Sequence, residues 1–175
     1  MNLLLRLITT LLRARRRSRL GPLDESVITL RVLPTDLDAN MHMNNGRYLS
    51  IMDLGRFDLT VRNGLLRATL RRGWRPVVGS VVIRFRRSLD PFQRYDLRTR
   101  PVCWDEKWIY LEQRFEREGE LAAIGLVKAL FLGKGGPVAT AQVFPTVGLT
   151  GDSPPMPETV DLWRRSERAL SGGLE

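Results

Sequence analysis

The sequence predicts a single α+β domain in which one long helix is wrapped by a five-stranded antiparallel sheet. Three observations lead to that architecture. Residues 45–62 have helical spacing, and their apolar side chains (Tyr48, Leu49, Ile51, Met52, Leu54, Phe57, Leu59, Val61) occupy most of the circumference. A helix apolar nearly all round must be enclosed. One β-branched run, residues 27–32, precedes it, and four strand-like runs follow at 77–86, 95–100, 108–115 and 121–132. The last three are joined by short polar turns, Asp105-Glu106-Lys107 and Glu118-Gly119-Glu120, which suit antiparallel neighbours.

Each element has its own local signals. Pro34 ends the first strand, and a polar loop runs from there to Asn44. Asn63-Gly64 is a C-terminal stop for the long helix. Gly55 in mid-helix costs about 1 kcal/mol relative to alanine, which close approach of another backbone would explain. A short helical piece, residues 65–72, leads into the strands. The chain divides into an amphipathic basic segment (1–22), the domain (23–148) and a Pro-rich tail (149–175) with a surface helix at 158–170.

Of 175 residues, 43% are hydrophobic and 27% charged, which is ordinary for one globular domain with a real core. The lone Cys103 excludes an internal disulfide and any cysteine-based metal site, and reads as a packed thiol. The net charge is +9, yet six arginines (Arg6, Arg13, Arg15, Arg16, Arg17, Arg19) precede the first acid, Asp24, leaving +3 for the rest. No nucleic-acid-binding module is evident, so nucleic acid is not an expected partner. Leu3, Leu4, Leu7, Ile8, Leu11 and Leu12 fall at helical spacing in a run too short to span a bilayer. Residues 1–20 can lie on an anionic membrane surface, pack on the domain or a partner subunit, or serve as an organelle-targeting peptide. The expected location is cytoplasmic, peripheral on a membrane in the first case.

Asp36, Asp38, Asn40, His42, Asn44 and Asn45 crowd the loop before the buried helix. A helix N-terminus offers unpaired amides and partial positive charge, which suit a carbonyl that becomes an oxyanion. A nearby carboxylate can activate water or attack directly, and the single histidine can donate a hydrogen bond. The bland reading makes Asn44 or Asn45 the helix cap and Asp36 an ordinary loop residue.

The stretch Asp36-Leu37-Asp38-Ala39-Asn40-Met41-His42-Met43-Asn44-Asn45-Gly46-Arg47-Tyr48-Leu49 resembles the signature of the hotdog acyl thioesterases. That group includes the 4-hydroxybenzoyl-CoA-thioesterase-like branch. Asp90-Pro91-Phe92, Arg98-Thr99-Arg100, Trp104-Asp105 and Tyr110-Leu111-Glu112 are similar to the thioesterase superfamily member six group, in matching order over residues 32–144. The resemblance implies a hotdog fold and hydrolysis of an acyl-CoA or acyl-carrier-protein thioester. Asp38 would carry the reaction, Asn40 and His42 would assist, and no cofactor or metal is called for. It also implies a homodimer or tetramer. Met41, Met43 and Met52 are candidates to line the acyl chain, and Asn45 and Gly46 to hold the thioester. Arg84 stands where the plant acyl-ACP thioesterases, another branch of the group this stretch resembles, carry a glutamate. It can lower the pKa of Asp38, bind a CoA phosphate, or mark a site built for binding alone. The alternative function is therefore a non-catalytic acyl-thioester-binding or membrane-associated scaffold protein.

Overall fold

The computed structural model describes residues 2–170 and 172; Met1 of the basic segment and residues 171 and 173–175 of the tail lie outside the described residues. Helix α1 (Asn2–Arg16) is followed by β1 (Ser26–Arg31), a 3-10 turn at Pro34–Asp36 and the long helix α2 (Asn45–Arg62). After α3 (Leu65–Arg71) come β2 (Arg75–Phe85), β3 (Arg94–Trp104), β4 (Ile109–Arg117), β5 (Glu120–Gly133) and β6 (Gly136–Val138). The short α4 (Thr140–Val143) and the terminal α5 (Glu158–Leu170) complete the chain. The main sheet runs β1-β3-β4-β5-β2, all antiparallel, and curls round α2. This is the hotdog arrangement. The sheet has a sixth strand that the sequence reading missed, because β6 is only three residues long and pairs with the end of β5 through a glycine-rich hairpin.

The core explains the curl. Ile51, Met52 and Leu54 of α2 are buried against Leu97, Phe115 and Val127 of the sheet. Tyr48 meets Phe85 and Phe115 edge-on, with ring centroids 5.0 and 4.8 Å apart, and burial pushes its phenol pKa up to about 12.

Gly55 is explained by side chains rather than by backbone approach. A Cβ there would overlap Thr99 Oγ1 and come within 2.9 Å of Gln113 Nε2. Gln113 is fully buried and donates to the Met52 carbonyl and to Thr99 Oγ1, each at 2.9 Å. It also accepts from Arg56 at 2.6 Å. This polar bridge fixes the height of α2 above β3 and β4.

Both flanking segments pack on the domain. Val160 and Trp163 of α5 cover Cys103 and Tyr110 on the convex face, where burial holds the thiol pKa up at about 11. Helix α1 lies against α2 through Leu3, Leu7, Thr10 and Ala14.

Replacing Gly55 by alanine forces the Thr99–Gln113 bridge apart. The expected loss is about 1–3 kcal/mol, as for other overpacked cores, read from the urea midpoint at unchanged m-value.

Candidate functional site

The loop between β1 and α2 is organised around Asp36, a buried carboxylate. Removing its charge from water requires compensation, and three elements supply it. Arg6 of α1 places Nη2 at 2.7 Å from Asp36 Oδ2 and donates to the Arg31 carbonyl at 2.9 Å. The Leu33 amide donates to the same oxygen at 2.9 Å, and Arg47 in the first turn of α2 brings Nε to 3.8 Å from Oδ1. The Asp36 carbonyl receives the Asn44 amide at 2.8 Å. Asp36 therefore joins α1, the end of β1 and the start of α2, a structural duty.

Asp38 is held differently. Residues 37–43 form a small hairpin closed by the Leu37–Met43 bridge and by Asp38 N–H to the His42 carbonyl at 2.9 Å. Met41 sits at its tip with φ of 59°. Asp38 Oδ1 accepts the backbone amides of Asn40 at 2.9 Å and His42 at 3.4 Å, an Asx-type turn that presets the carboxylate. Oδ2 has no hydrogen-bond partner among the described residues. Asn40 and His42 meet Asp38 through their backbones. The His42 ring points elsewhere, with Nε2 at 3.7 Å from Asp90 Oδ1, and Asp90 is in turn 3.5 Å from Arg117.

The start of α2 is capped by Asn44, whose side chain accepts the Gly46 amide at 2.8 Å. The Arg47 amide donates to the Asn44 carbonyl at 2.8 Å. The Asn45 amide, at the head of the helix, has no hydrogen-bond acceptor among the described residues. Of the methionines, Met41 is exposed at the hairpin tip and Met43 is buried beneath it. Met52 is fully buried on Gly125, where an added Cβ would stand 2.8 Å from its methyl carbon. Gly125 pairs with Ile83, so Ile83 faces α2, and strand alternation turns Arg84 to the opposite, convex face. Within one protomer Arg84 is not on the Asp38 side of the sheet.

A cavity of about 200 Å³ lies at the other end of α2. Phe57, Thr60, Leu65, Leu66, Val78 and Phe131 line it, so it is almost wholly apolar. Asp53 and Arg56, paired with each other, stand at its edge. Burial lowers the Arg56 pKa, against the pull of Asp53. Neither Asp38 nor any of the candidate methionines borders it.

The family model for the Thioesterase-like superfamily matches residues 32–163. The chain belongs to that superfamily. Among curated relatives, "Protein THEM6" of Danio rerio is 45% identical over 108 residues, covering 61% of this chain and 54% of that protein. "Protein THEM6" of Drosophila melanogaster is 34% identical over 124 residues, covering 70% of this chain and 62% of that protein. The chain thus spans little more than half the length of these relatives. Of solved structures, YbaW, a probable thioesterase from Escherichia coli, superposes with a TM-score of 0.65 at 20% identity, covering 69% of this chain and 95% of that one. A mutant 4-hydroxybenzoyl CoA thioesterase complexed with 4-hydroxybenzoyl CoA gives 0.63 at 13% identity, covering 71% and 99%. These likenesses establish the hotdog fold.

Two features of this superfamily member escaped the sequence reading. The Arg6–Asp36 pair joins residues 30 positions apart and leaves no local trace. The cavity had one available signal: Leu65 and Leu66 put apolar side chains directly after the Asn63-Gly64 stop, where a solvent-facing turn would be polar.

The two acids should separate in a stability assay. Asp36→Asn breaks a buried ion pair and should lower unfolding free energy by about 3 kcal/mol. Asp38→Asn, in an exposed hairpin, should stay within about 1 kcal/mol of the parent by the same urea titration.

Proposed function

We propose that this chain hydrolyses a fatty acyl thioester of CoA or an acyl-carrier protein, with Asp38 as the reacting carboxylate. The observation that carries this reading is the division between the two acids. Asp36 is buried, with Oδ2 bonded to Arg6 and the Leu33 amide and the Arg47 guanidinium 3.8 Å from Oδ1. Asp38 is only partly buried, oriented through Oδ1, and makes no ion pair among the described residues. Asp38 Oδ2 takes the proton of a water that adds to the thioester carbonyl, or adds to the carbonyl itself. The Asn45 amide, at the positive end of α2, supports the oxyanion. In the first route the carbon–sulfur bond then breaks and the leaving thiolate takes the proton held by Asp38. In the second, loss of the thiolate leaves an acyl–Asp38 anhydride, which water hydrolyses to free the fatty acid and the Asp38 carboxylate, and a proton of that water goes to the thiolate.

The acyl chain needs an apolar bed, and the cavity is the natural one. It is reached if two copies pair along β2. That strand is an outer edge of the sheet and 11 residues long, with Val77, Val78, Val82 and Phe85 exposed. A long apolar edge of this kind calls for a pairing partner. Antiparallel pairing about a two-fold axis keeps both α2 helices on one face. It lays the Phe85 end of one strand beside the Pro76 end of the other. Phe85 packs on Tyr48 at the start of α2, while Val77 and Val78 border the cavity. Each site would then combine one protomer's Asp38 hairpin with its partner's cavity. Arg84, on the convex face, remains available to a CoA phosphate.

Release of free thiol from a long-chain acyl-CoA series tests the chemistry; Asp38→Ala should abolish it. Acyl-CoA binding without thiol release by the parent protein would select the scaffold reading instead. The shared site has its own test. Asp38→Ala and the cavity-filling Ala129→Phe should each be inactive alone. Unfolding and reassembling them together should restore about a quarter of parental activity, as random mixing of a two-fold dimer requires.

A further inference from the structure

Helix α1 uses one arc of its surface to dock and leaves another unpartnered. Leu3, Leu7, Thr10 and Ala14 face the domain. Leu4, Leu5, Ile8 and Leu12 lie on the outward arc and are 61%, 58%, 44% and 53% exposed. A helix already docked by its inner face has no folding reason to keep four large aliphatic side chains in a row in water. The helix is also not free to swing and bury them. Arg6 is bonded to the buried Asp36, and Arg17, just beyond the helix, lies 3.5 Å from Asp58, which is equally buried and held by Ser26 and Arg62. Two ionic ties thus fix α1 near both its ends.

Charge decides what the outward arc meets. No acidic residue occurs before Asp24. Arg13, Arg15, Arg16 and Arg19 surround the C-terminal end of the apolar row and form no ion pair among the described residues. Arg13, Arg16 and Arg17 also line a groove of about 420 Å³ between α1 and β1. A second copy seated on this face would bring like-charged arginine clusters together. An anionic lipid surface instead accepts aliphatic side chains at the acyl boundary and guanidinium groups at its phosphates.

We infer that the outward face of α1 docks the folded domain, as one rigid body, on an anionic membrane surface. Leu4, Leu5, Ile8 and Leu12 enter the interfacial layer, and Arg13, Arg15, Arg16 and Arg19 contact phosphates. Because Arg6 ties this helix to Asp36, two residues from Asp38, the candidate site is held at a fixed height above the lipid. Docking is independent of whether Asp38 hydrolyses anything.

The test is co-sedimentation of the full chain with vesicles of phosphatidylcholine mixed with phosphatidylserine, against phosphatidylcholine alone. The parent should bind the mixed vesicles. Replacing Leu4, Leu5, Ile8 and Leu12 together by serine leaves the charge unchanged and touches no docked side chain. It should weaken binding at least about tenfold, with unchanged Tm and unchanged mass in solution. Replacing Arg13, Arg15, Arg16 and Arg19 by glutamine should weaken it comparably. Undiminished binding by the serine variant would reduce the effect to bulk positive charge and overturn the inference. A parent that binds neither vesicle, or a serine variant whose assembly mass falls, would overturn it equally, the last by making the face an interface between copies.

Discussion

A helix that is apolar on nearly every side cannot stand on a flat sheet, and α2 imposes this requirement on everything around it. The sheet has to curl so that β1, β3, β4, β5 and β2 all present side chains to one rod. Gly55 lets the two layers close, because the space its side chain would fill is held by Thr99 and Gln113. Gln113 then ties β4 to the helix backbone at Met52 and to Arg56 one turn on. Once α2 is fixed at this depth, its N-terminus, with the positive end of its dipole, emerges beneath the 37–43 hairpin. Its C-terminal half is less completely filled, and the residual space is the apolar cavity.

Two buried carboxylates near the ends of α2 carry the attachment of the N-terminal segment. Asp36 and Asp58 are both removed from water, and each would be strongly destabilising if left alone. Their partners include arginines supplied from outside the domain proper, Arg6 and Arg17. The basic character of residues 1–22 is therefore two things at once: some arginines neutralise buried acids, and the others remain outward. This also accounts for the different fates of two acids a single residue apart. Asp36 is drawn inward by three partners, while Asp38 is turned back on its own hairpin and left partly in solvent.

Elements whose identity rests on local periodicity are legible in the amino-acid sequence. The bounds of α2 and α5 agree with the sequence reading, and the four later strands differ from it mainly at their ends. The Asn44 cap was legible too, since capping depends on residues next to each other. What could not be read depends on pairs distant in sequence. Arg6 and Asp36, or Arg17 and Asp58, are ordinary surface-type residues until the fold brings them together. Met52 illustrates a second limit: an apolar side chain reads the same whether it fills the core, as here on Gly125, or lines a cavity. Arg84 shows a third. Its face follows from alternation with Ile83, but only once it is known which of the two meets α2.

The separation between Asp38 and the cavity bears on how an acyl thioester could be handled. Such a substrate is divided, with an apolar chain and a polar thioester joined to a bulky carrier. In one protomer the matching halves lie toward opposite ends of β2. Seven residue steps separate Val78 from Phe85, roughly 24 Å at extended-strand rise, too far for a cavity at one end to serve a carboxylate at the other. Reversing the direction of a second β2 alongside the first removes that distance, because each strand's cavity end then neighbours the other's hairpin end. Under the proposed pairing, the exposed valines on β2 and the remoteness of the cavity have a single explanation. Closing that edge would cover the valines and unite the halves of the site in a single step.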